Sequence, residues 1–403
     1  MADKKWDDFA QVSKNVADMA QAKLMDLLDN VLDTDALFED EVLSVIRDTG
    51  VDWSSSMSQT YEFYIVDPAT WADDEKLDNV ESCTITRDAS DETKGTAQIT
   101  SESDLSDKYV RCYLIATQNT FTYKIPLGTY MYQAPGFKYN GRRQIVDQDG
   151  YTPLIELKES MPPIGYALPK QSVIMDVAYA VMREHMRAPI TKPNSSSQLA
   201  TNFVSDVEDT WLSFLTDLIA NANYEFAIDA LGRIYFEPIK DTNSLYPVYT
   251  YNDDNSSILY PEVQMQRDLY GVPNVVEVVY SPSNGTPIYA KAVNNNKHSI
   301  ISTVARGREV VYRETNPEVE DGVTVDDLKQ YATTLLRNLS AYEFEVTYTH
   351  GYCPVEVGDC VELNYERAGI VGVRARVTRQ VISCKPGCPV EETAVFTQQL
   401  WKE

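Results

Sequence analysis

Histidine is scarce in this chain, with three in 403 residues: His185, His298 and His350. That leaves few imidazole bases or metal ligands. The glycine–lysine spacing of a phosphate loop is missing, and so is the HExxH pattern of a zinc hydrolase. Serine and cysteine nucleophiles have no diagnostic surroundings. Carboxylate pairs such as Asp206 with Glu208, or Glu356 with Asp359, carry little weight among 61 acidic residues, because chance pairs abound. No catalytic residue and no cofactor is expected.

Cysteine is also sparse, at six residues, too few for a disulfide scaffold. Cys83 and Cys112 sit in strand-like segments and read as buried thiols. Cys353, Cys360, Cys384 and Cys388 form the strongest metal candidate, since four thiolates suit a closed zinc site. Their spacing argues against it. Three residues separate Cys384 from Cys388 and six separate Cys353 from Cys360, whereas the common knuckle has two. The tight Lys385-Pro386-Gly387 loop keeps a disulfide open as a reading, beside free thiols. Basic residues are outnumbered, 35 against 61, for a net charge of -26. Such a chain does not grip nucleic acid through its phosphates, although an acidic wall would let DNA pass without sticking. Arg374, Arg376 and Arg379 are expected to form ion pairs within or between subunits rather than contact DNA. There is no basic region followed by an apolar run at the start, and no apolar stretch of membrane-spanning length.

What is present is tyrosine, 26 against 11 phenylalanines, a ring favoured in strands and interfaces. At roughly 150 residues per domain the length suits two to three domains. The first 50 residues are acidic. Phe9, Val12, Val16, Met19, Ala20, Leu24, Leu27, Leu28 and Val31 recur at helical steps, and a second short helix is expected from Ala36 to Ile46, capped by Thr34. From Tyr61 the period becomes two. Strands are expected at Tyr61–Ile65, Cys83–Arg87, Ala97–Ile99, Tyr109–Ile115, Thr120–Pro126, Thr129–Tyr132, Gln144–Asp147 and Pro153–Leu157. Turns are expected at Pro135-Gly136, Asn140-Gly141 and Asp149-Gly150, and the pattern suits a barrel or compact sandwich.

The middle turns helical. Ser172 is read as the cap of one helix, and Ser205 with Glu208 as the capping box of another carrying Trp211, Phe214, Leu215, Leu218 and Ile219. A hairpin follows, Tyr224–Ile228 and Arg233–Phe236. Val275–Tyr280 reads as a core strand, and Thr324 begins a helix with Leu328, Tyr331, Ala332, Leu335, Leu336 and Leu339 on one side. Strands close the chain at Tyr342–Tyr348, Cys360–Leu363, Gly372–Ile382 and Thr393–Leu400. The expected fold class is α+β and multidomain.

Several segments resemble the baseplate hub proteins of tailed phages and related contractile injection systems. Asn79–Asp88 with Gly95–Ile99 is similar to the paired opening strands of the first hub barrel. Tyr123–Tyr130 resembles the family's "lGtF" strand, with tyrosine for phenylalanine. Trp211–Pro238 is similar to its helix and hairpin, with the turn at Asp229–Gly232. Gly271–Val278 resembles the entry to the second barrel, and Pro354–Leu363 its "levGdvV.l" segment. Each match is degenerate alone, and their shared order over about residues 61–403 is the resemblance.

The resemblance implies two β-barrel-like hub domains, 61–165 and 256–403, the second with an inserted helical segment at about 324–340. A helix and hairpin α/β domain at 166–255 lies between them, and an N-terminal helical extension occupies 1–50. It implies a homotrimeric, non-enzymatic ring in a virion tail baseplate, assembled in the host cytoplasm. The ring joins a six-fold tube to a central spike or tip and surrounds a channel for tape measure protein and transiting DNA. The partners implied are the tail tube or tube-initiator protein, the spike or tip protein, the tape measure, and other baseplate proteins through residues 1–50. Alternatives are a tube initiator or a spike-proximal adaptor, and less so a tail-associated cell-wall hydrolase. The larger family members carry an appended lysozyme or peptidase region, which is not expected here.

Overall fold

The computed structural model describes residues 50–239, 245–254, 257–266, 269–282, 286–315, 317, 319 and 323–401. The helices expected within residues 1–50 lie outside the described residues. The first strands are β1 (Ser58–Val66), β2 (Asp73–Leu77), β3 (Val80–Asp88), β4 (Gly95–Ser101), β5 (Tyr109–Gln118), β6 (Phe121–Tyr139) and β7 (Gln144–Tyr151). Then come α1 (Ile155–Lys158), β8 (Ala167–Leu168), α2 (Ile174–His185), β9 (Phe203–Val204), α3 (Trp211–Ala220), β10 (Tyr224–Ile228) and β11 (Ile234–Pro238). The remainder is β12 (Pro247–Asn252), β13 (Leu259–Gln266), β14 (Val275–Tyr280), β15 (Ile288–Val293), α4 (Thr303–Arg306), β16 (Val311–Glu314), α5 (Val325–Leu339), β17 (Ala341–Gly351), β18 (Cys360–Tyr365), β19 (Ile370–Ser383) and β20 (Pro389–Gln399). No described helix is long and apolar enough to cross a membrane.

The chain forms two compact units. The first holds residues 50–76, 110–129 and 155–238. Its helical half is built on α3, whose Trp211, Leu212, Phe214, Leu215, Leu218 and Ile219 are buried. The cap is Thr210, which accepts from the Ser213 N–H in a capping box, not the expected Ser205 with Glu208. The expected cap Ser172 instead donates its hydroxyl to the Pro169 carbonyl at 2.8 Å, and Val173 occupies the N-cap of α2. The expected strand Pro153–Leu157 is the helical turn α1. A short apolar run cannot separate the two states, and a proline just ahead of a helix is well tolerated.

Arg111 organises the other half of this unit. Its Nε donates to Thr129 Oγ1 at 2.9 Å, and Nη1 to Asp73 Oδ1 at 2.8 Å. Nη2 donates to the Trp71 and Leu231 carbonyls at 3.2 and 3.0 Å. The Trp71 indole N–H also donates to Leu231 O, at 2.8 Å. The guanidinium thus fastens the Asp229–Gly232 hairpin turn to strands far away in sequence. Gly232 is required there: its φ is +78°, and a Cβ would lie 2.8 Å from the Thr129 side chain.

The second unit holds residues 77–109, 130–154 and 239–401. Its strands run in the order β13-β17-β20-β19-β3-β4-β7-β6, with β18 also on β19 and β12 on β18. This overturns the expected barrels: among the described residues no sheet closes on itself. The physical reason lies in β19, long enough to serve two partners along one edge. Its first half pairs with β18, Cys360 opposite Arg376, and its second half with β3, Asp88 opposite Arg379. The register against β20 shifts between Val377 and Arg379, where the two partners change over. A bulge bends a strand and sharpens its twist, so the sheet forks there. Closure needs the two end strands to meet in a consistent stagger, and a forked sheet has no such pair.

Two expected turns are also strand. Pro135-Gly136 is a bulge within β6, where the register against β7 shifts between Gln133 and Gly136. Asp149-Gly150 lies inside β7. Glycine is needed there because a Cβ would meet the Tyr132 ring at 2.8 Å. A smaller sheet, β15-β14-β16, is covered by α5. Val276, Val278, Ala290 and Ala292 meet Leu328, Ala332 and Leu336, with Trp401 beside them. Thr324 caps α5 in a capping box with Asp327.

Candidate functional site

The alternation in β17 places Phe344, Val346, Tyr348 and His350 on one buried face. On β20, Val390, Glu392 and Ala394 share the facing positions, with Tyr348 directly opposite Glu392. A histidine and a glutamate thus occupy positions whose parity belongs to apolar core. Both are fully buried. The His350 Nε2 lies 3.3 Å from Glu392 Oε2 and 3.2 Å from the Tyr251 hydroxyl. Its Nδ1 lies 2.7 Å from the Gly351 carbonyl, which accepts its proton. Tyr348 donates to the other Glu392 oxygen. Gln380 donates to Glu392 Oε2 at 2.7 Å and to the Val355 carbonyl at 2.8 Å. The Cys353 Sγ is 3.2 Å from the Tyr251 hydroxyl and 3.8 Å from His350 Nδ1.

Each polar group has a partner, as a buried network requires. Burial works against an imidazolium at His350. The hydrogen-bonded Cys353 sulfur and Glu392 carboxylate outweigh it and push the histidine up to about 10. Burial and the Glu392 charge push the Tyr251 and Tyr348 hydroxyls well above their ordinary range. A thiol beside an imidazole and a carboxylate has the parts of a nucleophilic site, but Cys353 is 1% exposed and Tyr251 1%. Substrate has no approach, so the network acts structurally. It ties β12 to β17, β19 and β20, across the fork of the sheet.

Sequence reasoning passed over this cluster. The available signal was a titratable residue at a core-parity position in two strands, visible only once their registers are known.

The four candidate thiols are dispersed. Cys353 belongs to the cluster, and Cys360 is buried on β18, its thiol pushed up by burial. Cys384 follows β19 and donates its N–H to the Cys83 carbonyl at 3.0 Å. Cys388 is buried in the turn before β20. None of the four forms a disulfide among the described residues, and no three of their sulfurs lie within 4.8 Å of one another.

His185 packs 5.1 Å from the Trp211 ring, and His298 is exposed. Asp206 and Glu208 are exposed. Asp359 accepts from the Glu356 N–H at 2.8 Å, forming the turn before β18. Arg374 lies 4.0 Å from Glu362, and Arg379 3.5 Å from Asp88.

The fold has solved counterparts. The tail protein from Neisseria meningitidis MC58 superposes with a TM-score of 0.54 at 12% identity, over 84% of this chain and 97% of that one. The 43 kDa tail protein of prophage MuSo2 from Shewanella oneidensis gives 0.54 at 11% identity, over 84% of this chain and 98% of that one. This chain folds as those tail proteins do. No protein-family model and no curated protein matches it in sequence. At this identity the likeness lies in the arrangement of strands and helices.

Proposed function

We propose that this chain is a non-enzymatic structural component of a phage-type tail, and within the tail the hub. In this reading three copies form a ring that joins a six-fold tube to a central spike or tip. The ring leaves a channel for the tape measure protein and for DNA. The observation that carries the reading is the shared fold, which spans 97% and 98% of two solved tail proteins. The net charge of -26 agrees with it, because an acidic surface repels a phosphate backbone in transit. A closed ring also occupies a fixed set of subunit surfaces and leaves no free end.

The test is a particle reconstruction in which the density of this chain is traced. Three copies on the tail axis, between tube and tip, are expected. Copies placed away from the axis, or in a six-fold peripheral ring, overturn the hub. Axial copies at the first tube layer would instead make the chain a tube initiator.

A further inference from the structure

The last rung between β3 and β19 pairs Thr84 with Ser383. One position further, Cys384 comes opposite Cys83, and its N–H donates to the Cys83 carbonyl at 3.0 Å. Strand alternation sets both side chains on one face. Cys83 shares it with Ile85 and Cys384 with Ile382, two isoleucines that are directly paired and buried. The two sulfurs accordingly lie within 4.8 Å of each other. On its other side Cys83 pairs with Ile99 of β4, an apolar side chain. Cys83 is 4% exposed, whereas Cys384 is half-buried.

Opposed residues of an antiparallel pair stand about 4.5–5.5 Å apart at Cα, inside the range of about 4.4–6.8 Å that a disulfide spans. The two cysteines also stand where the ladder ends. Lys385-Pro386-Gly387 turns the chain away, with Gly387 at φ +86°, so the backbone past Cys384 can yield the little that bond formation asks. The position lies on a seam of the sheet. Among the described strands, the pairing of β3 with β19 joins the run β3-β4-β7-β6 to the run β13-β17-β20-β19.

We propose that Cys83 and Cys384 form a reversible disulfide that latches this seam when the protein meets an oxidising small disulfide such as oxidised glutathione. The half-buried Cys384 reacts first. Its thiolate, having given its proton to water, attacks one glutathione sulfur and releases a glutathione thiolate. The Cys83 thiolate then attacks the Cys384 sulfur, forms the bond between the two cysteines and releases the second glutathione thiolate. Two protein thiols lose two electrons, and one glutathione disulfide gains them to become two thiols. Burial of Cys83 does not obstruct this order, because only the first attack needs access from solvent. The bond ties residues far apart in sequence, which constrains the unfolded chain. Its partly exposed sulfur keeps it open to reduction.

The experiment uses the full-length protein, first reduced and then incubated with oxidised glutathione at pH 8. Remaining thiols are alkylated, and a digest made without reductant is read by mass spectrometry. A peptide pair joining Cys83 to Cys384, lost on adding dithiothreitol, is expected. Hydrogen exchange at the β3 and β19 amides should slow by about tenfold or more in the oxidised protein and recover on reduction. Cys83→Ser should trap Cys384 as a mixed disulfide with glutathione, and Cys384→Ser should leave Cys83 reduced. Circular dichroism checks that both variants fold, and the wild-type digest decides the matter without them. Both cysteines alkylated after oxidation, Cys384 joined to a different cysteine, or a bond that leaves exchange unchanged would each overturn the proposal.

Discussion

Replacing Glu392 by glutamine keeps the side chain's shape and removes its charge, which leaves the buried His350 with no anionic oxygen to face. The geometry sets the size of the effect. Glu392 and His350 are both fully buried, and the carboxylate accepts from Tyr348, from Gln380 and from His350 at 3.3 Å. Removing one member of such a pair costs about 3–5 kcal/mol, because the remaining charge or donor is left stranded.

The pH dependence gives a second, independent readout. Folding raises the His350 protonation range from about 6.5 in an unfolded chain to about 10. The folded state therefore holds a proton that the unfolded chain releases. The stabilisation is complete below about pH 6.5 and fades as pH climbs through about 10. Tyr251 and Tyr348 are pushed well above their ordinary range, so the loss they add begins only as unfolded tyrosine ionises near about pH 10, and the decline below about pH 9 is not theirs. The assay is urea unfolding at pH 6, 7, 8, 9 and 10, read by hydrogen exchange at the β17 and β20 amides. Wild-type protection should decline steadily from pH 7 to 10 after correction for intrinsic exchange. Glu392→Gln should begin lower and decline less. A wild-type profile flat over this range, or a variant within 1 kcal/mol of wild type at pH 7, would refute the buried ion pair.

Three further outcomes follow from single contacts. Gly95→Ala places a Cβ 2.5 Å from the Thr86 carbonyl at φ +150°; backbone cannot yield as a side chain can, so a loss of about 2–4 kcal/mol is expected in urea unfolding. Arg111→Met removes the guanidinium donors to Asp73 Oδ1, the Thr129 hydroxyl and the Leu231 carbonyl, although Tyr113 still donates to Asp73 and Trp71 to Leu231, and a loss of about 1–3 kcal/mol should appear with faster exchange at the 229–232 turn. Thr324→Ala removes the α5 capping box and should cost about 1 kcal/mol, measured by thermal unfolding; no change would place the helix end under tertiary control.

Period, polarity and turn chemistry are properties of neighbouring residues, and these are what the sequence alone determined. The β17 strand announces itself by Phe344, Val346 and Tyr348 at alternate places. The α5 helix does so by Thr324 followed by Leu328, Ala332 and Leu336, and the Asn140-Gly141 turn by its dipeptide. All three stand where the pattern puts them. The α+β class follows from the same local signals.

Tertiary structure decided what depends on residues far apart. The strand pattern of Ile370–Ser383 is the same whether the sheet closes or forks, and only the shared edge of β19 with β18 and β3 settles it. Gly150 has a turn's composition but belongs to a strand, because the Tyr132 ring occupies the place of a side chain. Glu392 looks like any surface carboxylate until β17 brings His350 against it, 42 residues away in sequence. A short-range code carries no register between distant strands, and register fixes which charges are buried together.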